Sequence, residues 1–408
     1  MSRTSFINAR IFDGTRSEYL NESVVVVESD AIVTVETKLD PIGAGEVIDV
    51  RGKTLMPGLI DAHCHILGSS LRVTDTETQP MTYVASYASK MLGHALDNGF
   101  TTLRDVGGGE IGIARAVEDR LIKGPRVFFA GRVLSMTGGH GDFRDPFSAI
   151  GACGCSTHGR MAVICDGPDA VRAAAREELR RGAHCIKIML SGGVLSPTDP
   201  IWMDQFSDAE VSAAVEEAAR RRKYVAAHCH TPSSIERAAR LGVRTIEHAT
   251  LIDETSAAAV KAAGAYAVPT TVIVRALLED GESGQLPAWA ATKLKEVSDS
   301  SLRGLEIMDR HGLKIGFGTD LLGHLHIHQA REFKIRREVQ SAASILRSAT
   351  SVNAEILMEP KLGKIEAGSH ADILVVDGDP LADIDVLAQG GRSLSVIMKG
   401  GQFHKRSI

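Results

Sequence analysis

The stretch LMPGLIDAHCH, residues 55–65, runs from an apolar segment into two histidines spaced one residue apart. In an extended chain residues i and i+2 share a face, so His63 and His65 can both address one ion at the end of a strand. The same texture returns along the chain. TTLRD (101–105), RVFFAG (126–131), HCIKIML (184–190), YVAAH (224–228), RTIEH (244–248), AYAVP (265–269) and KIGFGTD (314–320) are short strand-like runs. Alanine- and charge-rich stretches such as 208–222 and 333–349 read as helices between them. Eight strands with crossover helices predict an α/β fold, a (β/α)8 TIM barrel rather than an open sheet.

Further chemistry sits at the ends of these runs. Lys187 is a charge between Ile186 and Ile188 in an otherwise apolar fourth strand. The fifth strand ends at His228, the sixth at His248 and the eighth at Asp320. Taken singly, each has an ordinary use: a packed histidine, a snorkelling lysine, an aspartate capping a helix. Barrel enzymes, however, draw their catalytic groups from the C-terminal ends of several strands. His63, His65, Lys187, His228, His248 and Asp320 all occupy that position, which predicts one metal centre at one mouth.

Beyond a barrel of about 250 residues, the 408-residue chain has length for a second unit. Strand-like runs at 5–12, 22–28 and 31–35 are matched by others at 371–376 and 394–398. Neither group suffices for a core alone, so they predict one small β domain built from both termini. The expected division is 1–55, 56–358 and 359–408, the middle segment being the barrel. Hydrophobic residues make up 44%, aromatic residues 4%, and the formal net charge is −5. Without a basic stripe or stacking aromatics, a nucleic-acid partner is excluded. No apolar run reaches the ~18 residues of a membrane span, and the N-terminus lacks a signal-peptide core. Six scattered cysteines suggest reduced thiols and a cytoplasmic location.

From VIDVRGKTLMPGLIDAHCH through IKIMLSGGV, VAAHCH, TIEHA and GFGTD to GKIEAGSHADILVVDGDP, the chain resembles the amidohydrolase superfamily. The likeness is to its binuclear-metal group with a carboxylated lysine. SMTGGHGDFR (135–144) and SGGVLSPTDP (191–200) point within it to prolidase-like and carboxypeptidase-like enzymes, relatives of ochratoxin-hydrolysing amidases. The resemblance implies that His63, His65 and Asp320 hold the more buried of two divalent metal ions, and His228 and His248 the second. It implies a carbamate on Lys187 bridging the ions, and a bridging hydroxide that attacks the substrate. Such N and O ligands suit Zn²⁺, and also accept Mn²⁺ or Co²⁺.

The activity implied is hydrolysis of an amide whose leaving group carries a free carboxylate, such as an Xaa-Pro dipeptide or an N-acyl amino acid. Asp320 would relay the proton to the departing amine. His140, in the glycine-rich TGGHG loop, would support the carbonyl oxygen. His230, where relatives often have a tyrosine, would bind the substrate carboxylate or support the metals. A small-molecule amide is thus the expected partner, along with further copies of the chain in a homo-oligomer. The alternatives are an amidase or carbamate hydrolase of aryl or xenobiotic amides, and a non-catalytic metal-binding barrel. A deaminase fits less well, since Thr231 stands where its His-x-x-Glu would place the acid.

Other features are expected to be peripheral. His324, His326 and His328 read as a solvated loop, His184 as structural, and Cys153, Cys155 and His158 as too few for a structural zinc site. The segment 269–281 (PTTVIVRALLEDG) reads as a loop shaping the substrate pocket, with Val272, Ile273 and Val274 beside Arg275.

Overall fold

The computed structural model describes residues 3–38, 45–144, 159–281 and 286–408. Strands Leu59–Cys64, Phe100–Asp105 and Arg126–Phe129 pair in parallel as one sheet. The third strand then bends through Gly131, whose φ of 77° a side chain would resist, and resumes as Val133–Ser135. There it joins a second parallel sheet through Cys185–Met189, Tyr224–Cys229, Thr245–His248, Tyr266–Val268 and Lys314–Ile315. Ala162–Ile164 adds to its outer edge. Backbone hydrogen bonds link the two sheets on both sides. His184 N donates to Phe129 O at 2.7 Å, and Ala62 N to Phe317 O at 2.8 Å.

The eighth strand is shorter than the run KIGFGTD suggests. Only Lys314–Ile315 form ladder pairs. Beyond them the Asn353 side chain accepts from Phe317 N and donates to Ile60 O and Phe317 O, replacing ladder bonds with a side-chain amide. Segment 269–281 is also corrected. It is mostly the helix Thr271–Gly281, because buried Glu332 accepts from Val272 N and Thr271 Oγ1 and so satisfies the helix start. The stretch expected as one helix over 333–349 is divided. Arg331–Arg336 ends where Arg336 turns onto Gln340 and Gly316 O, and Ala342–Arg347 continues through a widened turn into Asn353–Leu357. Asp208–Arg220 begins on a reciprocal Ser207–Glu210 cap.

Strands from both chain ends share one five-stranded sheet: Arg10–Ile11, Thr54–Pro57, Ile373–Val376, Leu394–Lys399 and Gln402–Arg406. A four-stranded sheet of Arg3–Ile7, Val24–Glu28, Ala31–Glu36 and Glu46–Asp49 packs with it around Phe6, Ile32, Leu55, Ile373 and Val396. The limit expected at 55/56 thus falls inside Thr54–Pro57, and the chain passes to the parallel strands at Gly58. Among the described residues no helix is long and apolar enough to cross a membrane. Cys64, Cys165, Cys185 and Cys229 are free and buried, whereas Cys153, Cys155 and His158 lie outside the described residues.

Candidate metal centre

His63 lies in the first strand and His65 just beyond it. Each has one ring nitrogen already engaged. His63 Nδ1 contacts Glu247 Oε2 at 2.7 Å, and His65 Nδ1 contacts the Gly107 carbonyl at 2.9 Å. Their Nε2 atoms are therefore turned to the same point, 3.2 and 3.0 Å from Asp320 Oδ1. Ligand atoms of these three residues lie within 4.8 Å of one another. Two imidazoles and a carboxylate oriented by outer hydrogen bonds are a donor set that fits a divalent cation. Asp105 anchors the turn after His65 by accepting from Ile66, Gly107 and Gly109 N–H groups. Burial raises the Asp320 carboxyl, but His63 and His65 beside it outweigh this and hold it well below the usual range.

The opposite wall carries the other candidates. Lys187 pairs in register with Ala226, two residues before His228, so Lys187 and His228 face the same side. His228 commits Nε2 to the Gly192 carbonyl at 3.1 Å, and His248 commits Nδ1 to Thr270 Oγ1 at 2.8 Å. Their rings stand 4.6 Å apart, leaving Nδ1 of one and Nε2 of the other for coordination. Burial and the neighbouring imidazoles keep both neutral, well below the ordinary histidine range. Burial also lowers the Lys187 ammonium, which favours the free amine. His248 has φ 66° and Asp320 φ 57°, the left-handed region that ordinary side chains avoid. At His248 this has a clear use. In a regular strand Glu247 and His248 would face opposite ways, whereas the left-handed turn lets both point into the site.

Glu247 and Arg104 support His63 and have no counterpart among the residues singled out from the sequence. Both are fully buried; Arg104 Nη2 bonds Glu247 Oε1 at 2.8 Å while Glu247 Oε2 orients His63. Burial would raise the Glu247 carboxyl, but Arg104 and His63 hold it ionised well below its ordinary value. Removing one partner from a buried pair of this kind costs about 3–5 kcal/mol. The available signal was a charge within a strand-like run, as at Lys187.

His140 and His230 complete the cluster. The His140 ring lies 4.3 Å from that of His228, and its Nδ1 is 2.6 Å from Ser196 Oγ. His230 sets Nδ1 against Thr250 Oγ1 at 3.0 Å, and burial lowers its pKa to about 3. All eight candidates line one cavity. Its remaining wall is largely apolar, including Met189, Leu195, Ile273, Leu277 and Leu294. Arg275 instead pairs with Glu338 on the exterior, a correction to its expected place at the pocket. The histidine run is corrected too. Gly323–His328 is a short 3-10 helix in which His324 pairs with Asp280 outside while His326 is buried against Tyr87. His184 is structural as expected, edge-on to Phe128 and Phe129 and lowered by burial to about 4.

Residues 54–402 match the model of the amidohydrolase family. The chain is 33% identical over 374 residues to an ochratoxinase of Aspergillus niger, covering 87% of this chain and 76% of that protein. Among solved structures, a prolidase complexed with N-methylphosphonate-L-proline is 42% identical, with a TM-score of 0.96 over 99% of this chain and 100% of that one. A Xaa-Pro dipeptidase with bound methionine is 28% identical, with a TM-score of 0.88 over 99% and 100%. These likenesses assign the alternating strands and helices to a TIM-barrel-like α/β fold.

Proposed function

Because this chain belongs to the amidohydrolase family, we propose that it cleaves amides whose departing amine carries a free carboxylate, with Xaa-Pro dipeptides and N-acyl amino acids as the substrate class. It is a metal-dependent amide hydrolase. The observation that carries the reading is the convergence of His63, His65 and Asp320 on one point at the wall of the cavity. The proline-based ligand of the 42% identical prolidase supports the carboxylate-bearing leaving group.

Two divalent cations, when bound, would polarise the scissile carbonyl and lower the pKa of water. His63, His65 and Asp320 would hold one, His228 and His248 the other, and Lys187 as its carbamate would supply oxygen ligands and offset their charge. The neutral amine that burial favours at Lys187 is the form that reacts with carbon dioxide. Asp320 accepts the proton of the attacking water and delivers it to the departing nitrogen. His140, held at Nδ1, donates from Nε2 to the carbonyl oxygen as negative charge grows there. His230 is neutral near pH 7; Thr250 can donate to its Nδ1, leaving an Nε2–H for the substrate carboxylate.

We also infer that the two parallel sheets form a single (β/α)8 barrel and that strands of both termini form a separate domain. Support comes from the backbone bonds between the sheets and from the core shared by the two chain ends. A second reading, an amidase of aryl amides, is favoured by the apolar cavity wall and the ochratoxinase likeness. The test is turnover of Xaa-Pro dipeptides, N-acyl amino acids and aryl amides, each as free acid and as C-terminal amide, with the metal content of the same sample measured. Free acids are expected to be cleaved at least about tenfold faster, the worth of a hydrogen bond to a charged group. Equal rates for acid and amide would replace this reading with the broader amidase.

A further inference from the structure

The segment 191–200 does more than border the cavity. Buried Asp199 gathers it: Oδ2 accepts from Gly193 N at 3.0 Å and Gln205 Nε2 at 3.4 Å, and lies 3.4 Å from His140 Nδ1. Ser196 Oγ stands beside the same nitrogen. Gln205, itself tied to Asp199, accepts from His140 N at 2.9 Å, so backbone and ring are held from one source. Lys293 enters from the helix Ala288–Ser298 and donates to the carbonyls of Gly193, Ser196 and Asp199, with Asp199 Oδ1 at 3.3 Å from Nζ. The segment also supports His228 through the Gly192 carbonyl.

We propose that Asp199 is the positioning residue for His140, fixing the imidazole with Nδ1 protonated toward Asp199 and Ser196 and Nε2 turned to the scissile carbonyl, on a loop that Lys293 clamps. The carboxylate touches no reacting atom and acts through the ring. A full negative charge in a buried place needs donors, and Gly193 N–H, Gln205 Nε2 and Lys293 supply them, with His140 Nδ1 3.4 Å away. The inference rests on the role given to His140 above, so its test separates the two.

The experiment measures kcat and KM for wild type, Asp199→Asn, His140→Ala and the double variant, using the fastest-cleaved compound of the substrate panel. Misplacing a group by about 1 Å costs about 100-fold, so Asp199→Asn should lower kcat by about 10- to 100-fold with KM nearly unchanged. In the His140→Ala background the same change should add less than about threefold, since residues acting as a unit are not additive. Histidine labelled with nitrogen-15 supplies a readout independent of turnover. The Nδ1–H resonance assigned by its absence in His140→Ala should shift in Asp199→Asn, or in Asp199→Glu should the asparagine variant not fold. An unmoved resonance, an unchanged kcat in a folded Asp199 variant where His140→Ala is itself impaired, or equal losses with and without His140 would each overturn the proposal. Full activity of His140→Ala together with a shifted resonance would keep the positioning and remove the catalytic role assigned to His140.

Discussion

A methyl group on Gly193 would run into the His140 ring, so glycine there is what lets the imidazole lie against the backbone. Gly193→Ala should displace the ring and cut kcat by about 100-fold while the thermal midpoint stays within a few degrees, which steady-state kinetics and calorimetry check together. Asp320→Asn should lower kcat by about 10²- to 10⁴-fold, the range for losing acid–base catalysis, with part of the metal retained by elemental analysis. Near-normal turnover at full metal content would move the proton-transfer role to another residue. The candidate ligands were legible at this scale because the histidines and Asp320 close strand-like runs and Lys187 is a charge inside an apolar one. Glu247 and Arg104 were not singled out because both contact His63 or its surroundings from within strands, away from the mouth. Asp199 could not be read at all, since its meaning depends on where His140 and Lys293 fold.

Strand existence was legible from apolar runs, and strand ends were not. The ladder of Lys314–Ile315 stops early, and Asn353, far along the chain, takes the Phe317 N–H that would continue it. The helix Thr271–Gly281 opens with β-branched residues, and only the remote Glu332 makes its start favourable. That glutamate gives a prediction. Burial lifts its carboxyl from 4.5 to about 7, more than nearby Arg336 lowers it. The folded protein therefore keeps a proton that the unfolded chain releases, and this contribution to stability is whole below pH 4.5 and lost as pH rises through about 7. Glu332→Gln imitates the protonated form, so its melting temperature should exceed that of wild type at pH 8 and approach it at pH 4.5. A constant difference across that range would mean the carboxyl does not titrate there.

Over the whole molecule, alternation of strand and helix carried the fold, and the matching texture of the two termini carried their shared sheet. The precise joining of the two parallel sheets depends on single backbone bonds that leave no trace in composition. The proposed metal centre would tie distant parts together, with candidate ligands from the first, fourth, fifth and sixth strands and Asp320 beyond the eighth. Chelation should therefore lower the melting temperature as well as abolish turnover. Metal held at 100 times its dissociation constant stabilises a fold by about 2.7 kcal/mol, and restored Zn²⁺ or Mn²⁺ should return a melting shift of a few degrees. A melting curve indifferent to chelator would mean that the cluster of six buried or half-buried candidate ligands is preformed without any contribution from an ion.

The helix Ala288–Ser298 presents Lys293 to the loop under His140 and, one and four residues later, presents Leu294 and Val297 to the cavity. Selection for a new substrate that reshapes this helix would disturb catalytic alignment along with fit. Ile273 and Leu277, on the helix Thr271–Gly281, line the same cavity without carrying that clamp. Divergence in substrate range therefore has an open route through one helix and an obstructed one through the other.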